Sequence, residues 1–120
     1  MAVASDRAVG PGAAAGLAVS RLDGRTGLCL AGEADLCTAS VLKQAIAALP
    51  PDAAEIHLQL AGLEFIDVAA ARELVMLASR PARPRLVLHY PPPVMLRVLA
   101  LCWPEARSRF SIGNARPDGT

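Results

Sequence analysis

Short apolar runs alternate with amphipathic helical segments along most of this chain, and this alternation constrains the fold more than any other feature. Two runs of strand composition, LAVSRL (17–22) and GLCLAG (27–32), are joined through the turn sequence DGRTG and predict a hairpin. Two later runs, AEIHLQL (54–60) and RLVLHY (85–90), are each preceded and followed by a segment with helical periodicity. Strands that alternate with helices indicate a parallel or mixed sheet covered by helices.

Three segments have the periodicity and the boundary residues of helices. The first begins with Thr38 as its N-cap and runs to about Leu49, before a Pro-Pro pair. The second begins with Asp67 as its N-cap, and the third opens at PPPV and runs to about Trp103. The apolar stripes of the first two helices are Leu42, Ala45, Ile46 and Leu49, and Ala71, Leu74, Val75 and Ala78. RFSI (109–112) adds a short last strand.

The predicted order is therefore β-β-α-β-α-β-α with a final β, which is an α/β fold. We expect a mixed, mostly parallel sheet of four or five strands and about three helices. The chain has 120 residues, which is the length of one domain. We expect residues 1–16 to form a disordered leader or linker, 17–112 the domain, and 113–120 a flexible tail. With only 3% aromatic residues, the core must be aliphatic.

The charge balance and the apolar runs exclude two classes of partner. The 12 basic residues are matched by 11 acidic ones, so the basic excess of a nucleic-acid-binding protein is missing. No run approaches the roughly 18 apolar residues of a membrane-spanning helix, so we expect no membrane insertion and a cytoplasmic protein. The three cysteines, Cys29, Cys37 and Cys102, lack metal-binding spacing and are interpreted as small buried hydrophobic residues in a reducing compartment.

The sequence contains no motif of a common catalytic site. No glycine-rich phosphate-binding loop and no nucleophile elbow are present. His57 and His89 are interpreted as partly exposed structural residues, and the acidic pair Glu33 and Asp35 as solvent-facing or helix-capping. The sequence therefore predicts a protein that is not an enzyme and that has no cofactor and no metal ion.

The segment LQLAGLEFIDVAAARELV (58–75) combines a strand, Phe65-Ile66, and an aspartate that opens a helix. It resembles the STAS domain of bacterial anti-sigma factor antagonists, in which this stretch reads approximately F-I-D-S-S-G-L. GEADLCTA (32–39) resembles the G-E-L-D-x-x-T-A segment of that family, and PPPVMLRVLAL (91–101) is similar to its third helix. The three motifs occur in the family's order and, with the predicted strands, the resemblance covers residues 17–112.

The resemblance implies a switch that docks onto an anti-sigma factor or a GHKL-type serine kinase. In the family, phosphorylation of a serine at the start of the second helix adds about two negative charges and breaks the complex. Here Ala69 occupies the position of that serine, and no serine or threonine occurs in residues 41–78. Thr38 or Ser40 could replace the missing phosphoacceptor, although helix capping is the favoured role of both.

The expected partner surface combines the two aspartates of the matched motifs with the exposed side of the second helix. Its predicted residues are Asp35, Asp67, Val68, Ala69, Ala70, Arg72 and Met76. The sequence thus predicts a regulatory protein-binding module in the control of transcription, which phosphorylation at position 69 does not regulate. The alternative is a sensory or scaffolding STAS module, fused to a sensor domain, that transmits a signal or binds a small ligand.

Overall fold

The computed structural model describes residues 13, 14 and 16–114, which form a mixed sheet covered by helices. The strands lie side by side in chain order: β1 (Ala13–Ala14), β2 (Leu17–Arg21), β3 (Gly27–Ala34), β4 (Glu55–Ile66), β5 (Arg85–His89) and β6 (Phe110–Gly113). The pairs β1–β2 and β2–β3 are antiparallel, and the pairs from β3 to β6 are parallel. The predicted mixed, mostly parallel sheet is confirmed, with the two-residue β1 as an addition.

Helices connect the parallel strands. They are α1 (Ala39–Ala47), α2 (Val68–Ala78) and α3 (Pro93–Cys102), and a 3₁₀ helix (Pro104–Arg109) follows α3. Because consecutive parallel strands are neighbours, right-handed crossovers place all three α-helices on the same face of the sheet. On that face α1 packs beside α2, and α2 packs beside α3. No helix of the described residues has the length and apolar character needed to span a bilayer.

The core between the sheet and the helices is aliphatic, as predicted. Every residue of the two predicted helical stripes is buried. The inward side chains of the strands include Leu30, Leu58 and Leu88, all with no exposed area. Fully burying a side chain of this kind stabilises the fold by about 1.5–3 kcal/mol relative to leaving it in water. Alternation along the strands directs these residues toward the helices, whereas residues such as Ser20 and His57 lie on the other face.

Three local expectations differ from the structure. Strand β4 continues to Ile66, six residues beyond the predicted run 54–60, because residues 61–66 keep pairing with β3 across two register shifts. Helix α1 ends at Ala47, two residues before the expected end. His89, on β5, is buried and not partly exposed as expected, because its ring packs beside that of His57 on the neighbouring strand β4.

The ends of the domain also differ from the expected boundaries. Ala13–Ala14 pairs with β2 although it lies in the predicted leader, and Gly113 belongs to β6 although it lies in the predicted tail. The other predicted leader and tail residues, apart from Gly16 and Asn114, lie outside the described residues.

Candidate partner-binding site

Asp67 joins two chain segments at the edge where the parallel strands end. Its Oδ1 accepts a hydrogen bond from the Ala70 N–H at 3.0 Å, which confirms the predicted N-cap of α2. Its Oδ2 accepts a hydrogen bond from the Leu36 N–H, also at 3.0 Å, in the loop between β3 and α1. Its own N–H donates to the carbonyl oxygen of Ala34 at 3.0 Å. One carboxylate therefore fixes this loop against the first turn of α2.

Asp35 and Thr38 close the same loop by reciprocal hydrogen bonds. Thr38 Oγ1 accepts from the Asp35 N–H at 2.9 Å, and Asp35 Oδ1 accepts from the Thr38 N–H at 3.1 Å. Thr38 occupies the N-cap position of α1 but makes no side-chain bond to that helix, so this part of the capping prediction is wrong. The Thr38 hydroxyl is buried within the loop, whereas Ser40 is exposed on α1. Asp35 is half-buried and shapes the loop.

The outward face of α2 carries the predicted row of exposed side chains. Val68 is 51% exposed, Met76 is 55% exposed, and Arg72 lies exposed between them. Ala69 is half-buried in the first turn. Ala70 is fully buried, so its side chain is unavailable to a partner and the prediction that it contributes to the surface is wrong. Its position is three residues after the N-cap, on the turn of the helix that faces the core.

Leu36 was missed in the sequence and belongs to the same surface. It is 75% exposed, and the bond from its N–H to Asp67 holds it beside the start of α2. We call the exposed residues Leu36, Val68, Arg72 and Met76, together with half-buried Ala69, the docking surface. The sequence did contain a signal for Leu36: it is a large apolar residue in the short loop between a strand end and a helix cap. Phe65 is also exposed, but it alternates with buried Ile66 and therefore lies on the helix-free side of the sheet.

Charged residues are unevenly distributed between the two ends of the parallel strands. Acidic residues lie at or near the ends of β3 and β4, beside the docking surface: Glu33, Asp35, Glu64 and Asp67. The opposite ends of the strands carry both signs: Arg21, Arg25, Arg83 and Arg85 lie there with Asp23, Asp52 and Glu55. In the described part of the chain, the one contact within 4.0 Å between a basic and an acidic side chain joins His57 and Glu55, and it is an ion pair only when His57 is protonated. The docking surface is therefore an apolar patch with one arginine and an acidic border.

No group of three metal-ligating side chains converges anywhere in the described residues. Cys37 and Cys102 are exposed and Cys29 is half-buried, so the interpretation of all three as buried residues is wrong for two of them. Burial raises the pKa of the Cys29 thiol, and a hydrogen bond with Ser20 opposes this effect more weakly. A thiol with a raised pKa is a poor nucleophile at neutral pH.

This architecture is similar to that of known proteins. Residues 17–102 match the family model described as Mlab, STAS domain. Among solved structures, an anti-sigma factor antagonist from Mycobacterium paratuberculosis superposes with a TM-score of 0.59 at 23% identity, over 85% of this chain and 86% of that one. The anti-sigma factor antagonist SpoIIAA in its unphosphorylated form superposes with a TM-score of 0.58 at 15% identity, over 85% of this chain and 91% of that one.

No curated protein sequence matches this chain significantly. The two structural likenesses show the same fold, and the family match covers most of the described residues. The resemblance predicted from the three sequence motifs is thereby confirmed, and the chain belongs to the STAS domain family.

Proposed function

We propose that this protein is a non-enzymatic regulatory module of the cytoplasm that binds an anti-sigma factor or a GHKL-type serine kinase through the docking surface and so controls transcription. The observation that carries the proposal is the double hydrogen bond of Asp67, which fixes Leu36 and the start of α2 relative to each other. A prearranged apolar patch loses little conformational entropy when a partner binds. The names of both structural neighbours support the class of partner.

The chemistry of the docking surface fits a protein partner. Met76 and Arg72 are of residue types that are enriched at protein interfaces, and arginine is common among the residues that dominate interface energies. The acidic border suits a partner with basic residues around its own apolar contact, since opposite charges at an interface rim raise the association rate. We therefore expect binding to weaken moderately with rising salt.

Regulation of this complex differs from the switch that the family resemblance implies. Ala69 carries a methyl group where the switch needs a hydroxyl, so no phosphate can be attached there. The Thr38 hydroxyl is buried in its loop, which disfavours its phosphorylation without local opening. We propose that the protein is constitutively competent to bind, and that its concentration or a second ligand controls the complex.

The test is a titration of the purified protein against the GHKL-type anti-sigma kinases of its own genome, with ATP and with ADP, followed by intact mass. We expect one kinase to bind without a mass shift. Arg72→Glu and Met76→Glu should each weaken that binding at least tenfold, whereas Arg21→Glu, a matched charge reversal at the opposite edge, should leave it within twofold. The proposal fails if no kinase binds, or if all three variants bind equally well.

Ala69→Ser provides a gain-of-function arm of the same test. The residue is half-buried in the first turn of α2, where serine is tolerated, so the variant should fold normally. A mass increase of one phosphate on Ala69→Ser but not on the natural sequence would support the assignment of the partner as a kinase. A mass shift on the natural sequence would identify a displaced phosphorylation site, with Ser40 as the exposed candidate on α1.

The alternative proposal is a sensory or scaffolding module that transmits a signal rather than releasing a sigma factor. The observation that favours it is a groove beside α3, away from the docking surface. Absence of binding to every kinase, together with a measured small ligand, would favour this alternative.

A further inference from the structure

We infer that the groove between α3, the 3₁₀ helix and β6 binds a medium-chain fatty acid, with the acyl chain on its apolar floor and the carboxylate at Arg107. This site is separate from the docking surface and does not depend on the proposed function. No residue of the groove belongs to the docking surface or to the loop held by Asp67. Its failure would leave the proposed antagonist function unaffected.

The groove is concave and reaches the core of the domain. It encloses about 390 Å³, within the roughly 300–1,000 Å³ that is usual for small-molecule sites. Leu88 on β5 and Leu99 on α3, both buried, form part of its lining. Trp103 and Phe110, both half-buried, line it as well. An apolar ligand bound here would remove both its own surface and the groove surface from water, and that transfer drives binding.

Exposed apolar residues complete the lining. Leu96 and Ile112 are both large, exposed and part of the groove. Every residue of α3 except Arg97 is apolar, and only Met95 and Leu99 are buried. Of its apolar residues that are not buried, Leu96 and Ala100 line the groove, whereas Leu101 does not. Contiguous exposed apolar surface of this kind marks an interaction site more often than an ordinary surface.

Arg107 decides the class of ligand. It is the one charged residue among the groove-lining side chains, it is exposed, and no carboxylate of the described residues pairs with it. Arg109, two residues later, instead donates to the carbonyl oxygen of Ala78 at 2.8 Å and so has a structural role. A guanidinium at the side of an apolar groove complements an acyl chain that ends in a carboxylate, through a charge-assisted bidentate contact. A second copy of this chain would need to place an apolar side chain and a carboxylate against the groove together. A fatty acid carries an acyl chain and a carboxylate in one small molecule.

The experiment uses the intrinsic fluorescence of Trp103, the only tryptophan of the chain. The full-length protein is titrated with octanoate and decanoate, each below its critical micelle concentration, and with the uncharged control decanol below its solubility limit. We expect a saturable blue shift, with decanoate binding about fifteenfold more tightly than octanoate, since each buried methylene contributes about fourfold. Decanol should bind at least tenfold more weakly than decanoate.

Three variants connect the signal to the groove. Arg107→Gln should weaken decanoate about tenfold and leave decanol unchanged, and Ile112→Glu should abolish both signals. Arg21→Gln, which removes one exposed arginine at a distant site, should change neither affinity. The far-ultraviolet circular dichroism and the melting temperature of each variant show that the fold is retained.

Three results would overturn the inference. The first is the absence of a saturable change in Trp103 emission. The second is equal affinity for decanoate and decanol, or for Arg107→Gln and the natural protein. The third is self-association, measured by sedimentation, that itself shifts the emission of Trp103, because a second copy would then cover the groove.

Discussion

His57 Nδ1 lies 2.8 Å from His89 Nε2, and the two imidazole rings stack with their centroids 5.1 Å apart and their planes at 12°. Arg25 Nη1 lies 3.1 Å from the same His57 Nδ1, and Glu55 Oε1 lies 2.9 Å from His57 Nε2. Because a guanidinium only donates, His57 Nδ1 acts as an acceptor. His57 then carries its proton on Nε2, toward Glu55, and His89 donates through Nε2. The single lone pair of His57 Nδ1 therefore faces two donors, Arg25 and His89.

This network predicts that the domain is less stable in mild acid. Burial lowers the pKa of His89 below its ordinary value of 6.5, with further contributions from His57 and Arg25. The unfolded chain therefore binds more protons than the folded chain as pH falls below about 6.5. The histidine contribution to the free energy of unfolding should be complete above pH 6.5 and should decrease until the pH reaches the pKa of His89 in the folded state.

Urea unfolding between pH 7.5 and pH 5 measures this dependence, and the histidine ring proton shifts report each pKa directly. His89→Gln, which keeps a donor but does not titrate, should show a smaller loss of stability over the same range. Equal pH dependence in the natural protein and in His89→Gln would contradict the prediction.

The two hydrogen bonds of Asp67 predict a graded loss of stability. Asp67→Ala removes the helix cap and the acceptor of the Leu36 N–H, so it should lower the free energy of unfolding by about 2 kcal/mol, with roughly 1 kcal/mol from each bond. Asp67→Ser keeps a capping oxygen but has only one, so it should lose about 1 kcal/mol. Urea denaturation with an unchanged m-value measures both. Equal losses in the two variants would show that the bond to the loop contributes nothing.

Gly32, the first residue of the GEAD motif, predicts a larger effect. Its φ of +101° disfavours a side chain, and an added Cβ would overlap the carbonyl oxygen of Gly16, which accepts the Glu33 N–H at 2.6 Å. Gly32→Ala should cost about 2–5 kcal/mol, from backbone strain and steric overlap together. Gly24 has a φ of +78° but nothing within 4 Å of an added Cβ, so Gly24→Ala should cost only about 1 kcal/mol. Thermal melting of both variants separates strain from overlap, and similar melting temperatures would contradict this account.

Local patterns in the sequence predicted the elements and the core of this fold. The stripes of α1 and α2 repeat at helical spacing, and a single aspartate before α2 was enough to locate its N-terminus. The third motif likewise located α3 between two prolines. Each of these features depends on residues that are near one another in the chain, where periodicity and capping act.

The missed features depend on contacts between residues far apart in the chain. The bond between Leu36 and Asp67 joins positions 31 residues apart, and the pair of His57 and His89 spans 32. Neither is encoded in a local pattern, because each arises from the register of adjacent parallel strands and the loops that follow them. The wrong assignment of Ala70 to the surface has a related reason. Tertiary packing sets which side of the first turn of α2 faces the core, and Ala70 lies on that side.

Arg80 makes a further long-range contact, and it predicts a stability difference between two arginines. Its Nη2 donates to the carbonyl oxygen of Ile46 at 2.7 Å, near the C-terminus of α1, where this oxygen also accepts the Leu49 N–H at 3.0 Å. Arg80→Gln should therefore lower the free energy of unfolding by about 1–2 kcal/mol, because a charge-assisted bond at a helix end is lost. Arg97→Gln, on the exposed side of α3, should change it by less than about 0.5 kcal/mol. Urea denaturation of the two variants decides the matter, and equal stabilities would show that Arg80 does not stabilise the end of α1.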